Sequence, residues 1–144
     1  YIREEIDPDA DPEGEGDGQG AVEEASKVAV PPEAIAKYHE TRNRLNKTIS
    51  RVFEDDRFAH NNFNRLACIV ATGYSPTVLH GKTTKSAVEY AVEKGHLPAV
   101  TATIATLEMM NNLILAGVQD YHTIAAVMNV ETKKNKSIID GMYA

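Results

Sequence analysis

Histidines, a cysteine and a lysine cluster are the side chains in this sequence best suited to chemistry. The five histidines, His39, His60, His80, His96 and His122, contain no pair at i, i+4 and no HExxH arrangement. No carboxylate stands at ligand spacing beside two of them, so no metal site is expected and each reads as a surface or turn residue. The single cysteine, Cys68, excludes an intramolecular disulfide and a multi-cysteine zinc site. Its neighbours Leu66, Ile69 and Val70 mark it as a small buried residue rather than a reactive thiol. Gly81–Lys82–Thr83 has the last three letters of a phosphate-binding loop, but that loop needs a glycine at position 76, which is Pro76. No serine or cysteine has a recognisable nucleophile context. The expectations are therefore no catalytic residue, no cofactor, no small-molecule substrate and no enzyme.

Lys133, Lys134 and Lys136 stand in what reads as the first turn of the last helix, where positive charge opposes the helix dipole. They are better placed to hold an anion or an acidic partner than to stabilise that helix. Nearby, two stretches resemble a helix-turn-helix. Residues Ala71–Thr72–Gly73–Tyr74–Ser75–Pro76–Thr77 are similar to the turn of many bacterial and phage helix-turn-helix proteins, in which glycine permits the reversal and Ser–Pro starts the recognition helix. Gly81 departs from that pattern, since it leaves barely more than one turn for a helix that must lie in the major groove. In residues 120–142, Ile124, Ala125, Met128, Val130 and Ile138 fall at core positions of the motif. Asn129 replaces the usual turn glycine there, and Asn135 takes a position normally apolar. The resemblance implies a nucleic-acid-binding protein, a regulatory or DNA-packaging component, with Lys133, Lys134 and Lys136 as the phosphate contacts. Residues 91–97 also resemble the AxxxGH segment of an ankyrin repeat, but the helix after them is too long for that unit and no second copy follows.

The elements that must position these residues read as helices throughout. Pro31 and Pro32 open a helix over residues 33 to 53 in which Ile35, Tyr38, Arg42, Leu45, Ile49 and Val52 recur at spacings of three and four, a heptad seam interrupted by one charge. Lys37, Arg44, Lys47 and Arg51 lie off the seam and make its outer face positive. Those six seam residues are the expected protein-binding or self-association surface. Further helices are expected to about Thr72 with Phe63, Leu66, Ala67 and Val70 inward, over Pro76 to His80, and over Lys85 to Lys94 behind a Thr83 or Thr84 cap. Two more follow, from Asp120 with Ile124, Val127 and Met128 inward, and from Thr132. Between them lies the most apolar stretch of the chain, 97–117, whose one charge is Glu108. A helix apolar on nearly every face is a buried one, so this stretch is expected to be the central helix with the others packed around it. Asn111, Asn112 and the threonines dilute it too far for a membrane span.

Composition divides the chain in two. Residues 1–24 hold ten acids against Arg3 alone, while the remainder is net positive, so the total of −6 belongs to the first segment. Acids alternating with Gly and Pro bury too little apolar surface to offset the entropy of ordering, and residues 1–30 read as a disordered acidic tail or linker. Residues 31–144 read as one all-α domain, a compact bundle of five to seven helices. The chain begins at Tyr1, which reads as processing or as a piece of something longer, and nothing in it requires an oxidising compartment. A soluble, intracellular protein is expected. The leading functional expectation is a non-enzymatic helical protein–protein interaction or assembly module, of viral or phage origin or part of a larger multi-component system. The helix-turn-helix nucleic-acid-binding protein is the alternative.

Overall fold

The computed structural model describes residues 30–143, which are helical with no β-strand among them. The acidic segment, and with it the expectation of disorder, lies outside the described residues apart from Val30. Val30 itself is buried and packs into the domain. The elements are α1 (Pro32–Val52), α2 (Ala59–Thr72), α3 (Pro76–His80), α4 (Ala87–Lys94), α5 (Leu97–Leu115), α6 (Tyr121–Met128), a 3-10 turn (Asn129–Glu131) and α7 (Thr132–Tyr143).

Local chemistry sets most of the boundaries. Pro32 opens α1 and Pro76 opens α3, where a missing N–H costs nothing. Ser75 caps α3 by accepting from the Val78 N–H. Gly73 and Gly95 end α2 and α4 in the left-handed conformation. Two boundaries differ from the sequence expectation. Ser86 and Glu89 form the capping box that starts α4, so neither Thr83 nor Thr84 is the cap. Thr132 does not cap α7 either, because the 3-10 turn feeds straight into that helix and leaves Thr132 helical.

The core forms two clusters that share α5. One gathers Leu45 and Ile49 of α1, Phe63, Leu66 and Val70 of α2, Leu107, Met110 and Ile114 of α5, and Ile124 and Met128 of α6. The other gathers Val30, Val88, Ala91 and Val92, Ala99 and Val100, and Ile139 and Met142. Ala34 and Ile35 lean on the second cluster while Leu45 and Ile49 belong to the first, so α1 runs in the same direction as α5. Asn135 lies near Thr106 and Met142 near the start of α5, so α7 runs the opposite way.

The central helix is α5, as expected, but it is not covered on every side. Val100, Leu107, Met110 and Ile114 are buried, whereas Pro98, Thr101, Ala105, Asn112 and Leu115 are exposed, a recurrence of three to four residues that marks one face. Its polar residues divide accordingly. Glu108 pairs with Lys37 at 3.4 Å, Asn112 reaches solvent, and Asn111 is buried with its Oδ1 lacking a hydrogen-bond partner among the described residues.

Candidate interaction groove

Where α7 crosses α5, the uncovered face of α5 becomes the floor of a groove of about 570 Å³. From α5 it is lined by Leu97, Pro98, Thr101, Ala105 and Met109, and from α7 by Ile138, with Glu131 and Lys134 on the rim. A shallower depression over Ala105, Glu108, Met109 and Leu113 continues it toward the far end of α5. From Leu97 to Met109 the floor is thirteen residues of helix, roughly 18 Å. The small side chains at Thr101 and Ala105 let another backbone approach closely. Both rims are neutral, because Lys37 pairs with Glu108 on the α1 side and Lys134 with Glu131 at 2.7 Å on the α7 side.

The heptad seam does something else. Leu45 and Ile49 have no exposed surface, and Tyr38 and Val52 are half-buried against the same core. Ile35 packs on the second cluster, and Arg42 donates to the Tyr38 hydroxyl at 3.2 Å one turn away. The seam Ile35, Tyr38, Arg42, Leu45, Ile49 and Val52 is therefore the surface by which α1 packs onto α5 and α2, not a free docking face. The heptad spacing is real, and the partner helix is α5 of the same chain. The residues that line the groove carried a weaker signal. Thr101, Ala105, Glu108 and Asn112 repeat at helical spacing, the one stripe of α5 poor in large apolar side chains.

Lys133, Lys134 and Lys136 are all exposed, but they are not equivalent. Lys134 is held by Glu131, and Lys136 sits 3.7 Å from Asp140, one turn on. Tyr74 and Asp140 together raise the Lys136 pKa, as hydrogen bonding and opposite charge favour the ammonium. Asn135, on the opposite side of the helix, is buried. The helix-turn-helix geometry is incomplete at both places. After the Gly73 turn, α3 is five residues long, and between α6 and α7 the 3-10 turn replaces a sharp reversal. Val127 and Val130, expected inward or in the motif core, are exposed.

The histidines fall on surfaces and turns, as their lack of pairing indicates. His96 caps α5 by accepting from the Ala99 N–H at 3.2 Å. His60 Nε2 and Ser50 Oγ share a 2.8 Å hydrogen bond across the α1–α2 corner. Partial burial lowers the His60 pKa, and burial followed by the Arg42 charge lowers that of His39. The Cys68 thiol is buried although the residue is partly exposed, and burial pushes it up to about 11. No group of three metal-ligating side chains occurs among the described residues, and none of their helices is long and apolar enough to cross a membrane. No protein-family description matches the chain, and neither a curated protein nor a solved structure shows significant similarity to it.

Proposed function

We propose that the domain is a non-enzymatic helical interaction or assembly module whose contact face is the α5–α7 groove. The observation that carries this reading is the open groove of small and apolar side chains, Leu97, Pro98, Thr101, Ala105, Met109 and Ile138, along the central helix. Helices of this composition are normally covered all round, and a stripe left open between two neighbours is the shape that accepts an amphipathic helix. Its floor of Pro98, Thr101, Ala105 and Met109 offers close packing, and the neutral rims place no net charge requirement on the occupant. The heptad seam of α1 is committed to the core and supplies no competing face. The helix-turn-helix reading receives less support, since Lys134 and Lys136 face carboxylates of their own helix region and α3 is too short to read a groove.

Benzophenone photo-crosslinking tests the assignment. The crosslinker is placed at position 105 and, as a control, at position 47 on the exposed side of α1, in the full chain expressed in its native cells. A discrete adduct from position 105 alone, abolished by Met109→Arg, supports the groove as the contact face. Equal adducts from both positions, or none from 105, overturn it. Light scattering on the purified chain, with and without Ala105→Arg, shows whether the partner is a second copy.

A further inference from the structure

On the side of the domain that carries the α2–α3 turn, lysines and tyrosines from four segments form one continuous ladder. Lys136 of α7 stands 5.1 Å from the ring centre of Tyr74, and Lys82 of the α3–α4 loop stands 5.3 Å from the same ring. Lys82 is also 5.6 Å from the ring of Tyr143. Tyr143 stacks on Tyr90 with ring centres 4.8 Å apart and planes inclined by 8°. Lys94 closes the run 5.4 Å from the Tyr90 ring. The order is thus cation, ring, cation, two stacked rings, cation, with all three lysines exposed and all three rings partly so.

Surface lysines more often pair with carboxylates, and the ladder differs in this respect. Lys82 and Lys94 have aromatic faces as their neighbours and no carboxylate ion pair among the described residues. Lys136 has Asp140 at the long distance of 3.7 Å, and Asp140 also accepts from the Tyr74 hydroxyl. An exposed cation–π contact is weaker than a charge-assisted hydrogen bond to phosphate, so at Lys82 and Lys94 a phosphate draws the ammonium away from its ring at little cost. The ring face it leaves is then open to a flat apolar surface. A ligand that alternates phosphates with flat rings satisfies both halves of the ladder at once, whereas an acidic peptide uses only the lysines.

We propose that this ladder of Lys136, Tyr74, Lys82, Tyr143, Tyr90 and Lys94 is a binding site for single-stranded nucleic acid, with phosphates on the lysines and bases on the tyrosine rings. The site shares Lys136 with the helix-turn-helix reading but differs from it in needing no helix in a duplex groove. It is independent of the α5–α7 groove. The overall charge of −6 is no obstacle in itself, because residues 30–143 carry thirteen basic and eleven acidic side chains. Phosphate contacts by lysine weaken as salt rises, which makes low salt the condition of choice.

The experiment uses the full chain at low salt with fluorescently labelled oligothymidine and, beside it, an abasic oligomer of equal length and charge. The expected result is binding of oligothymidine that quenches tyrosine emission, which is readable because the chain has no tryptophan. Three phosphate contacts give a salt slope of about −2, and Lys82→Glu with Lys94→Glu reduces it to less than half of that. Lys47→Glu with Arg51→Glu, the same charge change on α1, leaves affinity within twofold. Equal binding of the abasic oligomer without quenching shows a bare polyanion surface and overturns the proposal. So does an equal loss in the two double variants, or no binding at low salt. Far-ultraviolet circular dichroism of each variant confirms that these exposed substitutions leave the fold intact.

Discussion

The carboxamide nitrogen of Asn135 donates to the carbonyl oxygen of Val70 at 3.0 Å, joining α7 to the end of α2. The last carbonyls of a helix have no partner within it. At this end Gly73 N–H serves Ile69 and the Tyr74 N–H turns to the Thr72 hydroxyl, so Val70 depends on a side chain sixty-five residues away. Asn135 also lies 3.5 Å from Thr106 Oγ1 of α5, and all three groups are buried. Asn135, one of the two departures from the helix-turn-helix pattern in that stretch, is thus a polar tie among α2, α5 and α7. Replacing it with leucine keeps the branched shape and strands the carbonyl. Asn135→Leu is expected to lower the unfolding free energy by about 1–3 kcal/mol, seen in urea as a lower midpoint with an unchanged slope.

Ile49→Asp separates the two roles of the α1 seam. On a free contact surface the substitution weakens association and leaves the monomer folded. With Ile49 fully buried in the core cluster that also holds Leu107, Met110 and Ile114, it instead places an unpaired carboxylate in the core. The expected cost is about 4 kcal/mol or more, a large share of the stability of a domain this size. Thermal unfolding followed by circular dichroism should show a collapsed or absent transition. Lys47→Glu, two residues earlier on the exposed side, should leave the transition where it was.

The contrast at Ile49 shows why the fold was readable and the α5–α7 groove was not. Periodicity and capping are local signals, and they located α1, the end of α2 at Gly73, the short α3 and the Asp120 cap of α6. They also singled out α5 as central from its apolar content alone. Periodicity reports that a face is covered and is silent on what covers it. The seam of α1 and the buried stripe of α5 turned out to be each other's partners. The groove required knowing that α7 runs antiparallel to α5 and leaves Ala105 bare, a relation between residues about thirty positions apart. The tyrosine–lysine ladder is more distant still, because its members come from the α2–α3 turn, the α3–α4 loop, α4 and α7, with no spacing to link them.

Two glycines with positive φ separate backbone strain from steric collision. Gly117 has φ +101° with open space where a Cβ would stand. Gly73 has φ +83°, and a Cβ there would meet Cβ and Cγ of Lys136, the latter at 2.7 Å. Gly117→Ala carries only the left-handed cost, about 1–2 kcal/mol. Gly73→Ala adds the displacement of α7 from the α2 turn and should be the more damaging of the two. If urea unfolding gives equal losses, α7 moves freely relative to that turn and the close packing at Gly73 is not a constraint.

Acid should destabilise the domain through its histidines before its carboxylates titrate. His60 and His39 have pKa values below the ordinary 6.5, so the native state resists their protonation. Between pH 6.5 and the lowered native values, the unfolded chain binds more protons than the folded one, and stability falls as pH falls. Above pH 6.5 both states are neutral and the contribution is fully retained. His60→Gln, which keeps a hydrogen-bonding group near Ser50, should flatten the decline in urea midpoint between about pH 6.5 and pH 5. A profile unchanged by His60→Gln and by His39→Gln would assign the decline to carboxylates instead.

The thiol of Cys68 offers a probe of how tightly the α2–α3 turn is closed. Sγ lies 3.6 Å from the Tyr74 carbonyl oxygen, and its burial raises the pKa to about 11 despite the opposing effects of Thr72 and Arg65. Only the thiolate reacts with alkylating and disulfide reagents, so at pH 8 the native chain presents very little of the reactive species and little access to it. Labelling by a disulfide reagent should be slow and single-exponential, and fast once urea unfolds the chain. Thr72→Val removes the hydroxyl that accepts from the Tyr74 N–H and whose single proton is within reach of the Cys68 carbonyl at 2.7 Å and the Tyr74 carbonyl at 3.0 Å. It should speed native labelling if the turn opens locally. If native and unfolded chains react at the same rate, the thiol is open to solvent and the packing of Cys68 beneath Tyr74 is refuted.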